Sequence, residues 1–133
     1  MSRNITLKIV TPTQTVFEGD VDQFTAPGDL GAFQVLHNHA PIVSKLVPGL
    51  LKFQQTGGTE VHYYVSGGFL ELHDDIGIVL ADSAEHSDKI NVAQTEAAIT
   101  ELRRRYADHE IHNDEFHREL DVLNAKLSVA KAP

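Results

Sequence analysis

Apolar and polar positions alternate along the first eighty-odd residues. Ile5, Leu7 and Ile9 are separated by Thr6 and Lys8, the period-2 pattern of a strand with one buried face. Val61, Tyr63 and Val65 repeat it, as do Ile76, Ile78 and Leu80. Turn signals separate these runs. Thr56-Gly57-Gly58-Thr59 marks a hairpin and Asp74-Asp75 a second tight turn. Ser66-Gly67-Gly68 marks a strand kink or a close backbone approach. Pro12, Pro27, Pro41 and Pro48 fall near expected strand ends. Short strands at this spacing predict an antiparallel β-sandwich over residues 1–86.

The period changes near residue 86. Glycine stops after Gly77 and alanine becomes frequent. Ser87 or Asp88 can cap a first helix, whose stripe is Val92, Ala98, Leu102 and Tyr106 with Ile99 beside it. His109-Glu110-Ile111-His112-Asn113 interrupts the pattern. Asn113 can cap a second helix, with Asp114 and Glu115 in its first turn and Phe116, Leu120, Leu123 and Leu127 along one face. The expectation is α+β in sequence order: the sandwich, then an antiparallel two-helix hairpin over 87–133. Isolated helices of this length are marginal in water. The hairpin therefore needs the sandwich or a partner to lean on, and a segment with two supports can move between them.

Composition narrows the chemistry. With 133 residues there is chain for one domain and an appendage. Without cysteine there is no disulfide or thiol chemistry. No apolar run approaches the length of a membrane span, and Met1-Ser2-Arg3-Asn4-Ile5-Thr6 lacks the apolar centre of a signal peptide. Any membrane association is thus expected through a partner, without direct insertion. The net charge of −8 disfavours nucleic acid. Residues 1–88 hold 4 Lys/Arg against 11 Asp/Glu, and residues 89–133 hold 7 against 8. The two parts are expected to face different surroundings.

Eight histidines invite a metal reading. His37 and His39 share a face of an extended strand, yet spacing fixes no third ligand. His39 reads as hydrogen-bonded within its loop and His37 as exposed. His109, His112 and His117 bracket the helix connection, which reads as solvated. No Gly-x-Ser-x-Gly elbow is present, and paired acids fall in a turn and a helix start. No catalytic residues and no metal site are read. Arg103-Arg104-Arg105 spread over about 200° of a helix. They read as a solvated face, with Glu101 and Asp108 near enough to pair with them; the sharper reading is contact with an acidic surface of another subunit.

The run Gly31-Ala32-Phe33-Gln34-Val35-Leu36-His37-Asn38-His39-Ala40-Pro41 resembles the Gly-x-Phe-Gly-Val-Leu-Pro-Asn-His-Ala-Pro signature of the epsilon subunit of the rotary F-type ATP synthase, equivalent to mitochondrial delta. Thr11-Pro12 with Phe17-x-Gly19, Pro48-Gly49-Leu50-Leu51, Ser66-Gly67-Gly68-Phe69-Leu70-Glu71 and Val79-Leu80-Ala81-Asp82-Ser83-Ala84 follow in the family's order. The resemblance implies a non-catalytic central-stalk subunit that couples gamma to the c-subunit ring. Its tail can extend into the alpha/beta catalytic head and suppress ATP hydrolysis. It implies c-ring and gamma contacts among Gly31, Ala32, Phe33, Gln34, His37 and His39, and tail contacts among Arg103, Arg104, Arg105, Arg118 and Lys126. It also implies a peripheral place on the cytoplasmic side of the inner (plasma) membrane, or on the stromal side of a thylakoid.

Three departures bear on this. Gln34 and His37 replace the signature glycine and proline. Ile90-Asn91-Val92-Ala93-Gln94-Thr95 aligns with the Ile/Leu-Asp-x-x-Arg-Ala motif through which some bacterial members bind ATP. Asn91, Gln94 and Thr95 replace its Asp, Arg and Ala, and the lost arginine removes a charge-assisted phosphate contact. No cofactor is expected. A nucleotide-sensing regulatory module is the alternative function, and a histidine-based metal enzyme a third.

Overall fold

The computed structural model describes residues 4–132. The leader reading at Met1–Arg3 lies outside them. Seven strands form one sheet: β1 (Ile5–Val10), β2 (Thr15–Gly28), β3 (Gly31–Val35), β4 (Ile42–Gln55), β5 (Glu60–His73), β6 (Ile76–Ala81) and β7 (Ala84–His86). Helices α1 (Val92–Ala107) and α2 (Asn113–Ala130) follow. The sheet runs β1-β6-β5-β4-β2-β3, and a β1–β2 pairing closes it on itself. β7 adds to β5. All pairings are antiparallel except β1 with β6. That parallel pair is the departure from a purely antiparallel sandwich.

Closure makes an interior. Ile5, Leu7 and Ile9 are fully buried, as the alternation predicts, and meet Val21, Phe24, Phe53, Leu70, Leu72 and Val79. Strand β6 reverses the expected face. Gly77, Val79 and Ala81 point inward, and Ile76 and Leu80 point out with 42 % and 48 % exposure. The reason is volume. A Cβ on Gly77 would stand 3.2 Å from the Phe24 ring and 3.6 Å from Leu72. Phe24 and Leu72 already fill this layer, so β6 turns its small residues to them.

Long strands β4 and β5 bend together midway. Pro48 lies inside β4, not at its end as expected, where the β2–β4 register slips between Thr25 and Gly28. Opposite it, Gly67 and Gly68 take φ of 103° and 128°. A Cβ on Gly68 would come 2.0 Å from the Leu80 carbonyl oxygen, so only glycine lets β6 approach here. The bend divides the outer face of the β4–β5 ribbon into two surfaces.

Helix α2 covers one of them. Val122, Ala125, Val129 and Ala130 pack on Tyr64, Leu50 and Ile90. Helix α1 packs on α2 through Leu102 with Ile111, Phe116, Leu120 and Leu123, and Tyr106 stacks on Phe116 at 4.1 Å. Ala98 is exposed and Thr95 takes the buried place in the α1 stripe. Both expected caps move. Ser87–Lys89 form a single 3-10 turn, and Asn91 caps α1 by accepting the Gln94 N–H at 2.9 Å. His112 is the cap residue of α2, because the Asn113 side chain accepts the Tyr106 hydroxyl at 2.7 Å.

Candidate functional site: two partner-facing surfaces and a docked hairpin

Beyond the bend, the uncovered outer surface carries several large exposed apolar side chains. Cross-strand pairs Lys45↔Phe69 and Val43↔Glu71 adjoin Phe69↔Leu80 and Glu71↔Ile78, so Val43, Phe69, Ile76, Ile78 and Leu80 share one face. Val43 is 75 % and Phe69 53 % exposed. Val10 of β1, beside Leu80, extends the face. Exposed Lys45 and Glu71 lie among these apolar side chains on the same face, and large apolar side chains gathered and exposed on one face are a candidate contact surface. The sequence reading missed it by placing β6 in the opposite phase. The doubled alternation of β5 and β6 could have revealed it, since Phe69 and Leu80 are both large and both out of phase with Leu70 and Val79.

The residues of the signature run do not form one surface. Gly31, Ala32, Phe33 and Gln34 lie on β3 after the turn through Asp29 and Leu30, whose side chain is 99 % exposed. Gly31, Ala32 and Gln34 are exposed and Phe33 packs on the core edge. His37 and His39 follow the other end of β3, about 20 Å further along at 3.3 Å per residue. There the β5–β6 turn grips them. Asp75 Oδ1 accepts the Asn38 N–H at 2.7 Å, and its Oδ2 lies 3.0 Å from His37 Nδ1 without an aligned hydrogen bond. His37 is therefore half-buried rather than exposed. Asp75 also accepts the Thr6 N–H through its carbonyl. His39 Nδ1 sits 2.7 Å from the Ala40 carbonyl oxygen, within its loop as expected.

The other histidines are dispersed. His62 pairs with Glu60 at 2.7 Å, and this bond holds the Glu60 carboxyl below its ordinary range. His86 accepts the Asp88 N–H, and His117 Nδ1 lies 2.8 Å from the Asn113 carbonyl oxygen. Among the described residues no three His, Asp or Glu side chains converge on a metal geometry. No helix among them is long and apolar enough to cross a membrane.

The basic tail residues differ in how firmly they are held. Arg104 is clamped by Glu101 at 2.7 Å, Asp108 at 2.8 Å and Glu110 at 2.7 Å. Lys126 crosses to the sheet, 3.5 Å from Glu85 and 5.6 Å from the Tyr64 ring centre. Arg103 and Arg118 are exposed and Arg105 is half-buried. The aligned ATP motif is used internally: Asn91 caps α1, and the Thr95 hydroxyl donates to the Asn91 carbonyl at 2.8 Å.

The described residues thus form a closed β domain with a docked helical hairpin and an uncovered face bearing large apolar side chains. The family model "ATP synthase, Delta/Epsilon chain, beta-sandwich domain" matches residues 4–87. The ATP synthase epsilon chain of Desulforamulus reducens is 37 % identical over 132 residues, covering 99 % of this chain and 94 % of that one. That of Desulfosudis oleivorans is 41 % identical over 105 residues, 79 % of each. The solved Euglena gracilis mitochondrial ATP synthase (OSCP, F1 and c-ring) contains a chain of the same fold, with TM-score 0.75 and 21 % identity over 98 % of this chain and 79 % of that one. The chain belongs to the epsilon subunits of the F-type ATP synthase, which are non-catalytic members of that complex.

Proposed function

We propose that this chain is a rotor subunit that couples the gamma subunit to the c ring, and that its hairpin is a releasable restraint on ATP hydrolysis. The observation that carries the first part is the uncovered apolar face of Val43, Phe69, Ile76 and Leu80. Gamma is the partner assigned to it. The turn at Leu30 and the start of β3, Gly31 to Gln34, is assigned to the c ring, whose contact would place the chain peripherally on the cytoplasmic or stromal side. The division of labour follows the boundary drawn from the sequence, with 1–86 binding the rotor and 87–133 regulating.

The second part rests on the small joint between α2 and the sheet. Among the described residues it contains three buried side chains, Tyr64, Ile90 and Val129, against sixteen in the sheet interior. It can therefore open while the sheet stays folded. On release, Arg103, Arg105 and Arg118 are free to meet acidic segments of the alpha/beta head, whereas Arg104 and Lys126 must first exchange their intramolecular carboxylates. Asn91 and Thr95 are spent on the helix cap. Calorimetry on the isolated chain should detect no micromolar ATP site, and finding one would favour the nucleotide-sensing alternative.

The coupling role is tested by gamma binding. Phe69→Asp with Leu80→Asp places two carboxylates in the apolar face without touching the interior. Affinity for gamma should fall at least about thirtyfold, the scale of losing interface anchors. Unchanged affinity with an intact fold would remove this face from the rotor contact.

A further inference from the structure

The joint between α2 and the sheet contains an internal contradiction. Tyr64 is 1 % exposed, one of the largest fully buried side chains, and its hydroxyl has no hydrogen-bond partner in the protein. Its ring meets what a docked helix should meet: Leu50 across the strand pair, Ile90, and Val122, Ala125 and Val129 of α2. The charged groups facing it are Glu85, its neighbour on β7, and Lys126 of α2. Burial first, and the Glu85 carboxylate second, push the hydroxyl up to about 12, so it stays neutral. A neutral hydroxyl shut away without a partner costs free energy that a phenylalanine there would not.

That cost belongs to docking rather than to folding of the sheet. Tyr64 lies on the outer face of β5, opposite the inward pair Tyr63 and Val65. Ile90 and the α2 side chains cover it, so release of α2 opens its outer side to water while the ring's strand contacts remain.

We propose that Tyr64 limits the strength of hairpin docking: its ring supplies the apolar seat and its unpartnered hydroxyl opposes closure, keeping the joint releasable. Glu85 and Lys126 act in the other direction as the clasp across the joint. This rests on the reading of the hairpin as a mobile element. It extends that reading by naming the group that sets the balance in a chain whose nucleotide motif is altered.

The test is hydrogen exchange on the full chain, comparing wild type with Tyr64→Phe and Glu85→Gln. Amides of residues 118–130 in α2 report release, and those of β1 and β6 report opening of the sheet. In wild type the α2 amides should exchange faster than the sheet. In Tyr64→Phe they should slow about five- to thirtyfold, the effect of removing an unsatisfied buried hydroxyl, and in Glu85→Gln they should quicken. Unchanged or faster α2 exchange in Tyr64→Phe would overturn the limiter while leaving a mobile hairpin standing. Wild-type α2 amides exchanging together with β1 and β6 would overturn both the limiter and the mobile hairpin on which it rests.

Discussion

Val129→Ala gives a direct measure of how firmly the hairpin is held. Val129 is 2 % exposed and packs with Tyr64 and Ile90 in the apolar seat of α2 on the sheet. The substitution removes two methyl-sized groups. At about 0.8 kcal/mol each, with a further contribution from the cavity left behind, docking should weaken by about 2 kcal/mol. Alanine's better helix propensity adds little at Val129, one residue from the end of α2. The half-exposed Lys126–Glu85 pair stays in place but adds less than about 1 kcal/mol. Released hairpin should therefore become about thirtyfold more populated. Hydrogen exchange of α2 amides should quicken by that factor and run ahead of β6. Unchanged α2 rates would refute the packing argument. Exchange of α2 and β6 in step would show that hairpin and sheet open as one unit.

Three further outcomes are expected. Gly68→Ala combines a φ of 128° with a Cβ 2.0 Å from the Leu80 carbonyl; it should cost more than about 3 kcal/mol, and a melting temperature near that of wild type would contradict the close β5–β6 approach. Asp75→Ala removes the acceptor of Asn38 N–H and the partner of His37 and leaves alanine at a φ of 59°. It should lower stability by about 2 kcal/mol and quicken exchange at Asn38 and His39, and unaltered exchange there would argue against Asp75 as the loop's anchor. Glu101 is held below the ordinary carboxylate range chiefly by its hydrogen bond from Arg104. A depressed carboxyl stabilises the hairpin fully above its ordinary pKa of 4.5 and ceases to do so as pH falls through the lowered value. Helix content followed by circular dichroism should thus decline on acidification, and Glu101→Gln should flatten that decline.

Much of this architecture is legible in local pattern. The inward Ile5, Leu7 and Ile9, the turns at Gly57-Gly58 and Asp74-Asp75, the kink at Gly67-Gly68 and the two helices follow from periodicity and backbone chemistry alone. What escapes local pattern depends on residues distant in sequence. The face of β6 is set by Phe24 and Leu72, which leave room only for Gly77 and Val79, so the larger Ile76 and Leu80 are turned out. Tyr64 reads as the outward neighbour of Tyr63, and its burial comes from a helix sixty residues away. One signal for that joint was present: Val122, Ala125 and Val129 form a second apolar face on α2 beside Phe116, Leu120 and Leu123. The signature run reads as one contact loop, yet the length of β3 separates Gly31 from His37. The arginine run divides because the connection after α1 brings Glu110 back onto Arg104 alone.

The central claim is that one chain carries a rotor-binding sheet and a separable restraint. It is tested most directly by ATP hydrolysis of a catalytic head reconstituted with gamma, adding either the full chain or residues 1–88. The account predicts that both bind gamma and that only the full chain lowers hydrolysis. Failure of either to bind, or equal hydrolysis with both, would contradict it: the first removes the rotor role, the second the restraint.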